Sequence, residues 1–318
     1  MTFDAAKSAS PTVPVVGRFA PSPSGQLHAG NIFSALIAWL VARQANGCIV
    51  LRIEDLDPAR CRAEYARDIM RDFKKLGFDW DEGPLFQSTR TQAYQEAFDQ
   101  LRQRGLLYPC FCSRADIHAA SAPHGGSVVY AGTCCNLAPD VVARRVHELA
   151  EIGRQPAWRV MVPDTVVSFT DRMQGVSTQN LKDTCGDFIV RRADGVFAYQ
   201  LAVVIDDAAQ GVTSVVRGVD LLESAARQQY LQDLLGLPHP AYAHVPLLVN
   251  ATGRRLSKRD QDASLKRMLE TYRFPEALIG HLSYLAGIID TDEAVTPQEL
   301  IAVANLDRLR GVSHITFS

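Results

Sequence analysis

The sequence predicts an α/β fold organised on a parallel sheet, on three observations. Val13 to Phe19 reads as an apolar strand that runs into a Pro/Ser/Gly loop. Behind that loop, Ile32, Ala35, Leu36, Trp39 and Leu40 recur at i, i+3, i+4, i+7 and i+8, the spacing of a helix face. Cys48-Ile49-Val50-Leu51-Arg52-Ile53 is a near-continuous apolar run, the pattern of a parallel strand buried on both faces. Strand, helix and strand in that order make a βαβ unit, so the chain opens in a Rossmann-like way.

Each later element follows from its own pattern. Phe33, Ile37 and Val41 make the remaining faces of the first helix apolar, which predicts that it is sandwiched in the core. Residues 61–80 and 90–105 read as helices, the second closing at Gly105. From Cys110 to Gly186 the βαβ rhythm lapses among five cysteines and several Gly and Pro residues, as in an insertion. Phe188 to Asp207 gives two apolar runs around Ala193-Asp194-Gly195, a hairpin signal. Asp220-Leu221-Leu222-Glu223 has capping-box spacing and opens a helix that stops at Gly236, with Pro238 beyond. The remainder reads as helical, with Pro275 suited to a first helical position.

With 318 residues the chain has room for about two domains. Its 47% hydrophobic and 21% charged residues are ordinary for a globular protein. A net charge of −2 argues against a protein that coats nucleic acid without specificity. A local basic cluster, Arg254, Arg255, Lys258 and Arg259, is compatible either with an RNA-facing loop or with a solvated charge run. The first residues lack the basic start and apolar stretch of a secretory signal, and Arg43 and Gln44 end the first apolar helix short of a bilayer span. A cytoplasmic protein that binds no membrane is expected. The seven cysteines (Cys48, Cys61, Cys110, Cys112, Cys134, Cys135, Cys185) then favour reduced thiols or a metal site over disulfides.

Two short segments carry chemistry. Leu27-His28-x-Gly30-Asn31 lies at the start of the first helix, where unpaired backbone N–H groups and the helix dipole favour phosphate. Far downstream, Arg255-Leu256-Ser257-Lys258-Arg259 offers a lysine that can neutralise charge on a departing phosphate. These segments resemble the HIGH and KMSKS signatures of class I aminoacyl-tRNA synthetases, with Asn31 at the fourth HIGH position. The match tightens to the glutamate-specific branch through Arg18-Phe19-Ala20-Pro21-Ser22-Pro23-Ser24-Gly25, Leu51-Arg52-Ile53-Glu54-Asp55-x-Asp57 and Asp79-Trp80-Asp81-Glu82-Gly83-Pro84. Phe197-Ala198-Tyr199-Gln200-Leu201-Ala202 and Val216-Arg217-Gly218-x-Asp220-Leu221 extend it. Only 60 residues follow Lys258, fewer than the anticodon-binding domain of a full glutamyl-tRNA synthetase. In that respect, and in Cys110-x-Cys112 with Tyr130-x-x-x-Cys134, the chain resembles the glutamyl-queuosine tRNA(Asp) synthetase family.

The resemblance implies a class I synthetase catalytic domain with a zinc-bearing insertion and a short helical C-terminal region. The expected division is a disordered tail at 1–13, a Rossmann-like first half at 14–109, a zinc-binding, acceptor-facing insertion at 110–186, a second half at 187–260 and the helical region at 261–318. It implies a glutamate site formed by Arg18, Phe19, Ala20, Pro21, Ser22, Glu54, Tyr199 and Arg217. The two arginines suit bidentate recognition of carboxylates, and Glu54 suits an ammonium. ATP, accompanied by Mg²⁺, is expected at His28, Gly30, Asn31 and Lys258, with His28 and Lys258 acting on the phosphates. One structural Zn²⁺ is expected on Cys110, Cys112, Tyr130 and Cys134, with Cys135 and His124 as rival ligands. The implied partners are L-glutamate, ATP and the anticodon stem-loop of queuosine-containing tRNA(Asp), and a monomer is expected. A compact glutamyl-tRNA synthetase that charges a tRNA 3′ end and a catalytically silent RNA-binding paralogue remain as alternatives.

Overall fold

A computed structural model of the chain describes residues 14–113, 129–256 and 265–317. The expected tail at 1–13, Lys258 and His124 lie outside the described residues. The first part runs Val16–Phe19 (β1), Ala29–Gln44 (α1), Cys48–Ile53 (β2), Ala63–Lys75 (α2), Glu82–Phe86 (β3) and Thr91–Gln103 (α3). Next come Leu107–Cys110 (β4), Pro139–Glu151 (α4), Ala157–Val160 (β5), Val166–Asp171 (β6), Gly175–Asn180 (β7), Leu181–Thr184 (α5) and Phe188–Arg191 (β8). Tyr199–Ala209 (α6), Ser214–Gly218 (β9), Leu222–Leu235 (α7), Ala241–Val245 (β10) and Leu247–Val249 (β11) follow. The chain closes with Leu265–Tyr272 (α8), Pro275–Leu285 (α9), Pro297–Val303 (α10) and His314–Thr316 (β12).

β1, β2 and β3 pair in parallel, as do β9 and β10. The two sets meet where Thr213 N donates to the Val16 carbonyl at 3.0 Å and Val16 N donates to Thr213 Oγ1 at 2.9 Å. Across this seam the strands read β3-β2-β1-β9-β10, so the order reverses between β1 and β9. In doubly wound sheets, ligands bind at the carboxyl ends of the strands at such a reversal. Residues 107–191 are built differently: β4, β5 and β8 form an antiparallel sheet, and β6 and β7 form a hairpin.

α1 is buried on all sides, with Ile32, Phe33, Leu36, Ile37 and Leu40 fully out of solvent. It lies against β1 and β9 on one side and the C-terminal helices on the other, where Gln44 Nε2 donates to the Ala304 carbonyl at 2.9 Å. Gly17 in β1 permits this closeness: a Cβ there would sit 3.2 Å from Ile49 Cδ1 and 3.3 Å from Ala42 Cβ. Among the described residues no helix is long and apolar enough to cross a membrane.

Several expectations are corrected. The run after Ala193-Asp194-Gly195 is helix α6, not a second strand; the hairpin is reduced to one bridge between Arg191 and Phe197. Leu201, Ala202, Val203 and Val204 are buried consecutively, and two-sided burial of a helix gives the same apolar run as a strand. The box at Asp220–Glu223 does not form, because the Asp220 carboxylate accepts from Arg255 Nη1 at 2.6 Å instead. α7 begins at Leu222 and does stop at Gly236, which takes the left-handed conformation at φ 66°. α2 ends at Lys75, earlier than expected. The C-terminal region is helical but ends in β12, which pairs in parallel with β11.

Replacing Gly17 with Val should overpack the β1–α1 contact. Urea unfolding is expected to show a loss of roughly 1–3 kcal/mol with the fold retained.

Candidate functional site

A cleft of about 680 Å³ opens at the carboxyl ends of β1 and β9, at the reversal of strand order. Arg18, Phe19, Ala20, Pro21, Ser22, His28, Gly30, Asn31, Glu54, Tyr199 and Arg217 all line it. The strand end of β1 supplies Arg18, the end of β2 leads to Glu54, α6 begins at Tyr199, and β9 carries Arg217. Residues separated by almost 200 positions in the chain therefore face one space.

His28 is the N-cap of α1, in extended conformation, and its carbonyl accepts from Asn31 N at 2.9 Å and Ile32 N at 3.1 Å. Its imidazole lies over Gly30, where a Cβ would be 3.1 Å from His28 Cε1. Any larger residue at 30 would displace the ring. The helix N-terminus and the imidazole together face the cleft, an arrangement suited to an anion.

Charge beneath the cleft is unusually well buried. Arg52 is completely out of solvent, with Nη1 at 2.8 Å from Asp207 Oδ1 and Nη2 at 3.4 Å from Glu54 Oε1. Burial opposes the charge on Arg52, but Asp207 and Glu54 outweigh it and push its pKa up. Burial also pushes the Glu54 carboxyl up, against the pull of Arg52 and Arg18. Arg18 donates from Nη1 to the Val216 carbonyl at 2.7 Å, while its buried Nε has no hydrogen-bond acceptor among the described residues. Desolvation draws the Arg18 pKa down. Arg52 and Asp207 escaped the sequence reading as site residues. The available signal was an arginine inside a run predicted to be buried on both faces, since such a charge requires a partner.

Arg217 is held from three sides. Its Nη1 donates to Gln228 Oε1 at 2.8 Å and to the Tyr199 hydroxyl at 3.2 Å, and its Nε donates to His244 Nε2 at 3.0 Å. His244 Nδ1 in turn lies 2.5 Å from Asp171 Oδ2. Burial opposes ionisation of Asp171, but hydrogen bonds from the His244 ring and from backbone N–H groups outweigh it and hold the carboxyl at about 2. Burial pushes His244 down, against the pull of Asp171. No sequence motif pointed to His244, Asp171 or Gln228.

A second cluster lies in the antiparallel region. The sulfur atoms of Cys110, Cys112 and Cys134 all fall within 4.8 Å of one another. Cys112 and Cys134 Sγ are 3.6 Å apart, and the Tyr130 hydroxyl is 3.5 Å from Cys110 Sγ and 3.7 Å from Cys112 Sγ. The edge of a tetrahedron with metal–sulfur bonds of about 2.3 Å is about 3.8 Å, so these donors can surround one small cation. Arg159 Nε donates to Cys110 Sγ at 3.2 Å, and its guanidinium lies 3.7 Å from the Tyr130 ring centre. Burial raises the Cys110 pKa, but Tyr130 and Arg159 outweigh it and draw the thiol down. Burial pushes the Cys112 thiol up to about 11. Cys135 is not in the triad, and all seven cysteines are free.

Arg52→Gln would remove the nearer counter-charge of the Asp207 and Glu54 carboxylates and leave Arg18, 3.8 Å from Asp207 Oδ1, as the remaining one. A loss of about 3–5 kcal/mol in urea unfolding is expected, as for one partner removed from a buried ion pair.

The family model described as "tRNA synthetases class I (E and Q), catalytic domain" matches residues 14–313. A protein named glutamyl-Q tRNA(Asp) synthetase from Symbiobacterium thermophilum is 47% identical over 305 residues, covering 92% of this chain and 93% of its own length. One of the same name from Neisseria meningitidis is 44% identical over 293 residues, covering 92% and 95%. The crystal structure of glutamate-tRNA synthetase from Elizabethkingia anophelis superposes with a TM-score of 0.80 at 26% identity, covering 96% of this chain and 68% of that one. The cleft at the β1–β9 reversal is thus set in a known catalytic scaffold, and the chain belongs to the class I tRNA synthetase family specific for glutamate and glutamine, within its glutamyl-Q tRNA(Asp) synthetase branch.

Proposed function

We propose that the protein activates glutamate with ATP and transfers the glutamyl group to the queuosine base of tRNA(Asp). The observation that carries the substrate assignment is that Arg18, Arg217 and Glu54, distant in the chain, all line one cleft. Two guanidinium groups and one carboxylate match glutamate, which carries two carboxylates and one ammonium. Arg18 and Arg217 are the carboxylate-binding groups in this reading. Glu54 faces the ammonium, the Tyr199 hydroxyl contacts the ligand, and the 19–22 segment forms the wall. The names of the relatives supply the acceptor.

In the activation step an α-carboxylate oxygen attacks the α-phosphorus of ATP. A carbon–oxygen–phosphorus anhydride bond forms, and the bond to the β-phosphate oxygen breaks, releasing pyrophosphate. A carboxylate is already ionised at neutral pH, so no general base is required, and positioning with charge stabilisation suffices. His28, Gly30 and Asn31 bind the nucleotide at the α1 N-terminus, and Lys258 from the downstream basic loop meets the phosphates. Mg²⁺ accompanies ATP as part of the substrate. In the transfer step a hydroxyl of the queuosine base attacks the glutamyl carbonyl carbon, and AMP leaves. The 110–186 segment is the acceptor-facing insertion, and one Zn²⁺ held by Cys110, Cys112, Tyr130 and Cys134 stiffens it. The chain acts as a cytoplasmic monomer.

The deciding experiment offers labelled glutamate and ATP to queuosine-containing tRNA(Asp) and to tRNA(Glu), then separates the anticodon fragment from the 3′-terminal adenosine by nuclease digestion. Label on the anticodon fragment of tRNA(Asp), lost when queuosine is missing, is expected. Label on the 3′ adenosine of tRNA(Glu) would instead make the protein a compact synthetase.

Cys110→Ser should lower the bound zinc per protein, read by elemental analysis, and lower the melting temperature. An unchanged metal content would retire the zinc site.

A further inference from the structure

Asp171 and His244 are buried outside the lining of the cleft, and neither has a role in the reading above. We infer that this pair is a positioning device for carboxylate recognition: it fixes the His244 tautomer and, through it, the plane of the Arg217 guanidinium. The inference rests on Arg217 being a glutamate-binding group.

Arg217 Nε–H can only donate, so the His244 Nε2 it meets at 3.0 Å must present a lone pair. The ring proton is then on Nδ1, donated to Asp171 Oδ2 at 2.5 Å. Asp171 cannot turn away, because its Oδ1 accepts from Met173 N at 2.9 Å, Gln174 N at 2.9 Å and His244 N at 3.0 Å. The whole chain of contacts is therefore rigid from the β6–β7 turn to the cleft. Every hydrogen-bond partner of Arg217 among the described residues is neutral: an imidazole, a phenol, a side-chain amide and the Leu221 carbonyl. A carboxylate in direct contact would orient the guanidinium equally well, but it would also neutralise it and compete with the substrate. Interposing the imidazole transmits orientation and keeps the positive charge for an incoming anion.

The test measures glutamate-dependent pyrophosphate exchange, normalised to active enzyme by the burst of adenylate, for wild type, His244→Leu, His244→Gln and Asp171→Asn. His244→Leu is expected to raise the KM for glutamate roughly ten- to hundredfold, the worth of one hydrogen bond to a charged group, with the KM for ATP little changed. Gln at 244 keeps both an acceptor for Arg217 and a donor to Asp171, so it should restore most of the loss. Asn at 171 is the same shape but turns an amide donor toward Nδ1–H. It should reverse the tautomer, set Nε2–H against Arg217 Nε–H, and raise the glutamate KM. The ¹⁵N spectrum of His244 reads this directly: Nδ1 protonated in wild type, Nε2 protonated in the Asn variant. Equal shifts in both KM values, an unchanged glutamate KM in His244→Leu, or a wild-type ring protonated on Nε2 would each overturn the inference. Absence of glutamate-dependent exchange in the wild type would overturn the functional reading instead, while the tautomer measurement would still decide whether the relay exists.

Discussion

Taking guanidinium groups out of water is the constraint on which the rest of this architecture depends. Arg52 has no exposure at all, and Arg18 and Arg217 have almost none. An ion transferred to a protein interior costs several kcal/mol unless partners with good geometry meet it. Those partners come from far away in the chain. Asp207 and Gln210 reach Arg52 from the end of α6, and Val216 reaches Arg18 from β9. The first half of the parallel sheet is consequently tied to α6 by charge, and to the β9 half by the Arg18–Val216 hydrogen bond and the two hydrogen bonds between Val16 and Thr213.

That junction coincides with the reversal of strand order, which is where the fold leaves a crevice. The same residues that hold the halves together line or underlie that crevice. Catalysis of adenylate formation asks little covalent work of the protein; it asks that a carboxylate and a phosphate be held in line in a dry, polar setting. A rigid network of buried charge meets that demand better than mobile surface residues would.

The antiparallel region and the C-terminal segment are tied into the same network. Gln174, in the β6–β7 turn, donates to the His244 carbonyl at 2.8 Å and to the Val312 carbonyl at 3.0 Å. Gly311 N donates to the Met173 carbonyl at 2.8 Å. One turn thus contacts β10, the C-terminal strap and, through Asp171, the arginine of the cleft. The β6–β7 turn is thereby joined by hydrogen bonds to the proposed substrate-binding site.

The chain's own pattern determined the βαβ start, the two-sided burial of α1 and β2, and the helix stop at Gly236, because each depends on contacts within a few residues. It also marked the residues that line the cleft, since their types and spacing form recognisable local strings. Local strings failed where distant contacts decided. α6 reads like a strand because helices α3 and α7 cover both its faces. Asp220 is diverted from capping by Arg255, whereas Thr296 and Glu299, with the same spacing but no such rival, do form a box, with Glu299 N donating to Thr296 Oγ1 at 3.2 Å. His244, Asp171 and Gln228 carry no motif, for their meaning lies wholly in how β10, α7 and the end of β6 bring them to Arg217 on β9. Sequence periodicity reports which side of an element is buried. Only the tertiary structure decides which buried charges meet, because that pairing is made between segments that the chain itself keeps apart.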